Sequence, residues 1–166
     1  MNLYSTETSS FFLNRSYQTP AVSEGGCRMV EFAGRLYCVY VDGTHELGPV
    51  KFMSRSLGSE WSEPLSVFSE LRSRQTPHIF VFNARLHVLA VSELGVAVLA
   101  TFDAVTGRFV TQDDVTLPSN MLMTPTSALH RGTLYLFFVW GDGYVMFVST
   151  ADLKHWSVMS VSYTHL

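Results

Sequence analysis

Three acidic residues recur at matched places in this sequence, each six to eight residues after the first leucine of an apolar run. They are Asp42, Glu93 and Asp142. Two carboxylates that flank a glycosidic bond can act as the general acid and as the base or nucleophile of its hydrolysis. Asp-Gly is also a common turn signal, so Asp42-Gly43 and Asp142-Gly143 predict turns first, ligand contacts second and catalytic groups third.

Other side chains suited to ligand binding fall near these acids. Arg28 and His78 hold matched positions near the start of a predicted strand, and Trp140 directly precedes an acid-bearing turn. Trp140 is the candidate platform for stacking a sugar ring, whereas Trp61 and Trp156 hold positions that favour packing. The predicted ligand-binding residues are Arg28, Asp42, His78, Glu93, Trp140 and Asp142; for an enzyme, the catalytic candidates are Asp42, Glu93 and Asp142.

Cofactor and metal sites are not predicted. The six histidines show no His-x-His or HExxH spacing, and the chain lacks a Gly-rich phosphate loop and a nucleophile elbow. Cys27 and Cys38 fall on neighbouring predicted strands, where buried free thiols are favoured over a bridge. His87 alternates within an apolar strand, which predicts a core or interface histidine.

Composition limits the possible partners and classes. The 166 residues carry 11 basic and 14 acidic side chains, a net charge of −3, 47% hydrophobic residues and 15% charged ones. This balance gives no basic patch for nucleic acid and excludes a wholly disordered chain. The longest apolar run, 134–140, is shorter than the roughly 18–20 residues of a membrane helix, so no membrane span is predicted. The first ten residues lack the features of a secretory signal, which predicts a cytoplasmic protein or one exported by a non-classical route.

A repeat organises most of the chain. Leu36, Leu86 and Leu134 each begin a nearly continuous apolar run, and they are spaced 50 and 48 residues apart. Thr76-Pro77 and Thr124-Pro125 each fall ten residues before their leucine. Every copy predicts four short strands, and helix should be scarce because no long segment has apolar residues at a 3.6-residue spacing.

Repeats of this length with four strands fit the blades of a β-propeller. The sequence therefore predicts an all-β fold of three four-stranded blades, at about 23–70, 73–115 and 121–162. The alternative is a two-sheet sandwich whose strands merely look alike. Nearly constant spacing of three matched copies favours the propeller.

The turns between the third and fourth strands carry a further motif. Residues 54–61, with Ser56 in the aspartate position, resemble the Asp-box turn of sialidase-type propellers, and 101–109, with Asp103, resemble a longer version. Residues 150–156, with Asp152, resemble the related turn of five-bladed furanosidases. The resemblance implies a propeller and leaves the activity open. The chain departs from both families, because it lacks the arginine cluster of sialidases and the Asn-Asp-Pro segment of furanosidases.

Three blades are too few to close a ring. An open arc would expose two apolar faces, and a symmetric homodimer would cover both by forming six blades. The segment 1–22 has no counterpart in the repeat. It is expected to add an edge strand to the last blade or to clasp the partner, or else to form a disordered tail over its first nine residues.

The functional expectation is a non-enzymatic, lectin-like module that recognises carbohydrate or a protein partner through the propeller rim or pockets between blades. Repeated blades make repeated sites, and several linked sites raise avidity. One alternative is a glycoside hydrolase or sialidase-like enzyme. Another is a structural assembly component of a toxin or adhesin.

Overall fold

The protein is described by a computed structural model that covers residues 21, 23, 25–43, 47–115, 117–141 and 143–160. The predicted site residue Asp142 and nearly all of the N-terminal segment 1–22 lie outside the described residues. Within the described part of the chain, every regular element is a β-strand and none is a helix.

Three antiparallel sheets follow one another along the chain, and each sheet pairs its strands in sequence order. Sheet 1 contains β1 (Cys27–Phe32), β2 (Arg35–Val41), β3 (Gly48–Ser56) and β4 (Leu65–Ser66), with β5 (Arg72–Ser73) also paired to β3. Sheet 2 contains β6 (His78–Phe82), β7 (Arg85–Val91), β8 (Ala97–Asp103) and β9 (Arg108–Thr111). Sheet 3 contains β10 (Thr126–His130), β11 (Thr133–Val139), β12 (Val145–Thr150) and β13 (Ser157–Ser160).

Two-residue hairpins join the first and second strands of each sheet. Their central pairs are Ala33-Gly34 (φ 49° and 73°), Asn83-Ala84 (48° and 55°) and Arg131-Gly132 (48° and 78°). Positive φ at both central residues matches the twist of the flanking strands. Small-residue pairs of this kind predict tight hairpins from the sequence, and the structure confirms all three.

Sheet 2 is packed on both faces. Along β7, Leu86, Val88 and Ala90 belong to the apolar cluster shared with sheet 1. Leu89 and Val91 belong to the cluster shared with sheet 3. All five are at most 1% exposed, as expected for a continuous apolar strand buried on both sides.

Aromatic rings close the junction between sheets 1 and 2. The ring of Phe52 meets that of Phe109 edge to face, with centroids 4.9 Å apart. Phe102 contacts Tyr37 at 5.2 Å and Phe109 at 5.3 Å in the same kind of arrangement. Such edge-to-face pairs add to the stabilisation that comes from burying the rings.

Sheet 3 has one packed face and one open face. In β11, Leu134, Leu136 and Phe138 are buried against sheet 2, whereas Phe137 is 37% exposed. A nearly continuous apolar run predicts a strand that is buried on both faces, and for β11 this prediction is wrong. The residues between the buried ones point to the opposite face, and no described sheet packs there.

The outer face of sheet 1 differs from that of sheet 3. Cys38, Tyr40 and Met53 form a buried cluster there, with Ala21 and Trp61 packed against it. The expectation that both end faces of the arc are exposed thus holds for sheet 3 and not for sheet 1.

Two predictions about single side chains can be checked directly. His87 is 2% exposed, as predicted for a core histidine. Both cysteines are free, but only Cys38 is buried; Cys27 is exposed because it is the first residue of β1, at the edge of sheet 1. Among the described residues, no helix has the length and apolar character to cross a membrane.

Candidate functional site

Each sheet has two ends with different connections. The upper end is the one where β1, β6 and β10 begin and where the loops between the second and third strands lie. The lower end carries the two-residue hairpins and the turns between third and fourth strands. Most of the sequence-predicted ligand residues belong to the upper end, because they stand at strand starts or in the loops that follow the second strands.

A cleft of about 320 Å³ opens between the upper ends of sheets 2 and 3. We refer to it as the upper cleft. It is lined by polar and by apolar side chains in nearly equal measure, among them Arg74, Gln75, Glu93, Leu94, Asn120 and Leu122. Concave sites where a few polar groups converge among apolar ones are typical of small-molecule binding.

A glycine allows the two walls of the upper cleft to come close. Gly95 ends the turn after β7 with φ 74°, and its carbonyl accepts the backbone N–H of Met121 at 3.1 Å. A Cβ at Gly95 would lie 3.2 Å from the Cα of Asn120. Both the positive φ and the close approach require the residue without a side chain.

Gln75 ties the two sheets together in the cleft. Its Nε2 donates to the carbonyl of Leu122 at 2.5 Å, and its Oε1 accepts the hydroxyl of Thr124 at 3.2 Å. Its own backbone N–H donates to Ser73 Oγ at 3.0 Å, and that hydroxyl donates to the carbonyl of Val91 at 2.7 Å. Gln75 was not among the predicted site residues, although it directly precedes the repeated Thr-Pro pair.

The two other predicted residues near the upper cleft are placed differently. Glu93 lies in the cleft lining and is exposed. Trp140 packs, partly buried, against the core between sheets 2 and 3, and its backbone pairs with Met121. Trp140 thus packs part of its surface against the core, while its neighbour Gly141 lines the cleft. Its role as a stacking platform stays a prediction.

Asp42 has a structural partner. Its carboxylate forms an ion pair with Lys51 at 2.5 Å, and its backbone N–H donates to the carbonyl of Pro49 at 2.9 Å. It belongs to sheet 1 and does not line the upper cleft. These contacts favour its interpretation as a turn residue.

His78 lies between the first strands of sheets 2 and 3, β6 and β10. Its Nε2 lies 2.8 Å from Ser127 Oγ on β10, and its ring stacks on Phe80 with centroids 5.4 Å apart. Burial, with a smaller contribution from the positive charge of Arg28, lowers the pKa of His78 to about 4. The imidazole is therefore neutral at pH 7.

At the lower end, acidic side chains are bonded within their own turns. Asp152 Oδ1 accepts the backbone N–H groups of Lys154 and His155 at 2.8 and 2.9 Å, and Oδ2 lies 2.7 Å from His155 Nδ1. The N–H group and side chain of His155, with help from the N–H of Lys154, hold the pKa of Asp152 well below its usual range. Trp156 Nε1 then donates to the carbonyl of Leu153 at 3.0 Å.

The corresponding turn of sheet 2 uses the same device. Asp103 Oδ1 accepts the N–H of Val105 at 3.0 Å, and Oδ2 accepts the hydroxyl of Thr106 at 2.8 Å. These bonds lower the pKa of Asp103, with the Thr106 hydroxyl contributing most. An aspartate in such a turn is expected to accept N–H groups of its own turn, and both aspartates do so.

No protein-family model matches this sequence, and no curated protein is similar to it. Solved structures are similar in fold. Bacteroides ovatus xyloglucan PUL GH43B has a TM-score of 0.60 and 14% identity, over 83% of this chain and 29% of that one. An α-L-arabinofuranosidase (CtGH43) from Clostridium thermocellum has a TM-score of 0.59 and 18% identity, over 86% of this chain and 59% of that one. A PL25 ulvan lyase has a TM-score of 0.59 and 13% identity, over 87% of this chain and 39% of that one.

The chain has the β-propeller fold. It spans less than two thirds of the length of each of these three structures. We call β1, β6 and β10, the first strands of the three sheets, the inner strands.

The fold thus brings together only part of the predicted site. Glu93 lines the upper cleft, and Arg28 and His78 lie at the upper ends of the inner strands, whereas Asp42 is engaged in sheet 1. Within the described part of the propeller, no group of three or more His, Cys, Asp or Glu side chains is placed to hold a metal ion.

Proposed function

We propose that the protein recognises carbohydrate and that the upper cleft holds the sugar. The observation that carries this proposal is the convergence of Gln75, Glu93 and Asn120 with Leu94 and Leu122 in one concave site. A sugar ring offers hydroxyl groups around its edge and C–H groups on its faces. Such a ligand needs both kinds of wall.

The upper cleft favours binding over hydrolysis. Glycoside hydrolysis normally uses two carboxylates about 5–10 Å apart. Glu93 is the one carboxylate among the described lining residues, and Asp42 is paired with Lys51 in another sheet. We therefore propose a lectin-like role first.

A glycoside hydrolase is the second candidate. Two of the similar structures are a xyloglucan-locus GH43 protein and an α-L-arabinofuranosidase by their titles. Gly141 lines the cleft and directly precedes Asp142. In this alternative, Glu93 and Asp142 are the acid and the base or nucleophile.

One set of measurements separates the two candidates. Arabino-oligosaccharides and xyloglucan oligosaccharides are titrated into the wild type by calorimetry, and release of reducing sugar is followed in parallel. A lectin-like role predicts binding without turnover, and a Kd raised about tenfold in Glu93→Gln. Turnover that falls at least a hundredfold in Glu93→Gln or Asp142→Asn would establish the hydrolase.

Glu60→Gln is the matched control, because Glu60 is an exposed glutamate in a turn of the lower end. It should change neither binding nor turnover. If neither glycan binding nor turnover is found, the remaining account is a structural role in assembly.

We also propose that a second copy of the chain completes the propeller. The open face of sheet 3 carries the contacting rings of Tyr135, Phe137 and Phe147, and Val145 is 37% exposed beside them. In the two described junctions, faces of this kind are covered by the next sheet. Light scattering should give twice the 18.6 kDa of one chain, and Phe137→Lys should give a monomer. A wild-type monomer would contradict this.

A further inference from the structure

Two leucines expose much of their side chains inside the upper cleft. Leu94 is 80% exposed and Leu122 is 51% exposed, and both line this concave site. A single exposed leucine is ordinary on a protein surface and needs no explanation. Leu94 follows β7 of sheet 2 and Leu122 precedes β10 of sheet 3, so the two come from the two walls of one cleft. We call Leu94 and Leu122 the leucine pair.

The backbone holds the leucine pair in place. The carbonyl of Gly95, which follows Leu94, accepts the N–H of Met121, which precedes Leu122, at 3.1 Å. The N–H of Leu122 donates to the carbonyl of Val139 at 2.9 Å. Met121 is buried in the core between sheets 2 and 3, so Leu122 remains in the cleft. The exposure of the pair is therefore built into the contact between the two sheets.

The apolar part of the cleft has a distinct chemistry. Its described apolar side chains are those of Val91, Leu94, Met121 and Leu122, and none of them is aromatic. Branched methyl groups present no flat surface to the face of a sugar ring. They pack closely around a flexible aliphatic chain, whose transfer from water is favourable in proportion to the apolar area buried.

The size of the upper cleft fits a small molecule. Its volume of about 320 Å³ falls within the range of roughly 300–1,000 Å³ that is typical of small-molecule sites. A stable protein partner would instead bury about 800 Å² of each surface. Glu93 and Asn120 line the same cleft and offer polar atoms for hydroxyl groups. The leucine pair and these polar side chains therefore suit two parts of one small molecule.

We infer that the leucine pair forms an apolar subsite for an aliphatic chain attached to the sugar, while Glu93 and Asn120 hydrogen-bond to the sugar hydroxyls. The inference rests on the proposed carbohydrate recognition and names its substrate class: sugars that carry an alkyl or acyl chain. Each methylene group that is fully buried against apolar side chains strengthens binding about fourfold. A chain that is buried only in part along the leucine pair should still strengthen binding at least tenfold.

The test compares methyl and hexyl glycosides of arabinose and of xylose, by calorimetry on the full chain. The hexyl glycoside of the sugar that binds should have a Kd at least tenfold below that of its methyl glycoside. Leu94→Ser and Leu122→Ser should each reduce this ratio to about threefold or less. A hexanoyl ester of the methyl glycoside is titrated in parallel. Tighter binding of the ester than of the hexyl glycoside indicates an acyl chain on the ring, and weaker binding indicates an alkyl chain on the anomeric oxygen.

Leu57→Ser is the matched control. Leu57 is 92% exposed in a turn of the lower end, and it precedes Gly58 at φ 78° just as Leu94 precedes Gly95 at φ 74°. The substitution removes the same side chain from the same kind of turn, outside the upper cleft. It should leave the ratio of the two Kd values unchanged.

A ratio near one in the wild type, or an undiminished ratio in both Leu94→Ser and Leu122→Ser, would overturn the apolar subsite and leave carbohydrate recognition standing. If none of the glycosides binds, carbohydrate recognition fails, and the subsite is tested separately with 1-hexanol by methyl NMR. Shifts of the Leu94 and Leu122 methyl groups that exceed those of Leu57 would support a site for the chain alone. Absence of such shifts would overturn the subsite as well.

Discussion

The junction between sheets 2 and 3 has two ends that use polar side chains in opposite ways. At the lower end, the carboxylate oxygens of Asp152 and Asp103 accept hydrogen bonds from N–H and O–H groups of their own turns. At the upper end, Glu93 lines the upper cleft as an exposed carboxylate. Groups whose bonding is complete hold a fold together, whereas groups left open can bind a ligand.

The largest effect is expected at the lower end. Trp156 packs against the core between sheets 2 and 3, and its Nε1 donates to the Leu153 carbonyl. Trp156→Ala should lower the free energy of unfolding by about 3 kcal/mol, because it removes both the packing and the bond. Chemical denaturation measures the loss, and sugar affinity of the folded fraction should not change. A loss of affinity in the still-folded protein would break the distinction between the two ends.

Acid should act on the upper end first. The folded pKa of His78, about 4, lies below the unfolded value of about 6.5, so the unfolded state takes up the proton first as pH falls. The neutral imidazole of His78 therefore contributes up to about 3 kcal/mol to the free energy of unfolding above pH 6.5, and this contribution is lost between pH 6.5 and 4. Chemical denaturation at several pH values should show that the free energy of unfolding falls less steeply with pH in His78→Gln than in the wild type. Part of this fall should remain in the variant, since burial also lowers the pKa of His87. Identical pH profiles would contradict the assignment.

A smaller effect is expected when the cleft is narrowed. Gly95→Ala places a Cβ 3.2 Å from Asn120 Cα at a residue with φ 74°. It should destabilise the fold by about 1–2 kcal/mol and weaken sugar binding, because one wall of the cleft must shift. Gly107→Ala is the control for backbone strain alone: its φ is 67° and a Cβ there meets nothing within 4 Å. Equal sugar affinity in the two variants would mean that the sugar does not bind in the upper cleft.

The smallest effect is expected from a surface carboxylate of the lower end. Asp152→Asn keeps an acceptor oxygen but removes the charge that pairs with His155. The folded pKa of Asp152 is depressed, so its contribution is present above pH 4 and is lost as pH falls below that value. At pH 7 the variant should therefore have a slightly lower melting temperature than the wild type. Below pH 4 its melting temperature should decline less steeply than that of the control variant Asp113→Asn, which changes another exposed aspartate. A steeper decline would contradict the assigned bonding.

Much of the fold could be predicted from the sequence, since turn chemistry and apolar runs are local signals. The pairs Ala33-Gly34, Asn83-Ala84 and Arg131-Gly132 placed all three hairpins. The apolar run of β11 did not by itself reveal the open face of this strand, because an apolar strand has the same composition whether or not a further sheet covers it. Only the packing of neighbouring sheets decides that.

The site was less predictable, because it depends on contacts between sheets. Glu93 was found by its repeated position, but Gln75 binds Leu122 and Thr124 across the junction, which no local pattern reveals. His78 was found as the counterpart of Arg28 in the repeat, whereas its contact with Ser127 on β10 depends on how the sheets pack. Trp140 was assigned to the rim because it ends an apolar strand, yet the same apolar character places it against the core.

The most direct test of the account is an amide NMR titration of the wild-type chain with an oligosaccharide that it binds. The account predicts that chemical-shift changes concentrate at the upper cleft, on residues such as Gln75, Glu93 and Asn120, while the lower-end turns at 103–107 and 150–156 stay unchanged. Changes centred on those turns, with the upper cleft unaffected, would contradict it.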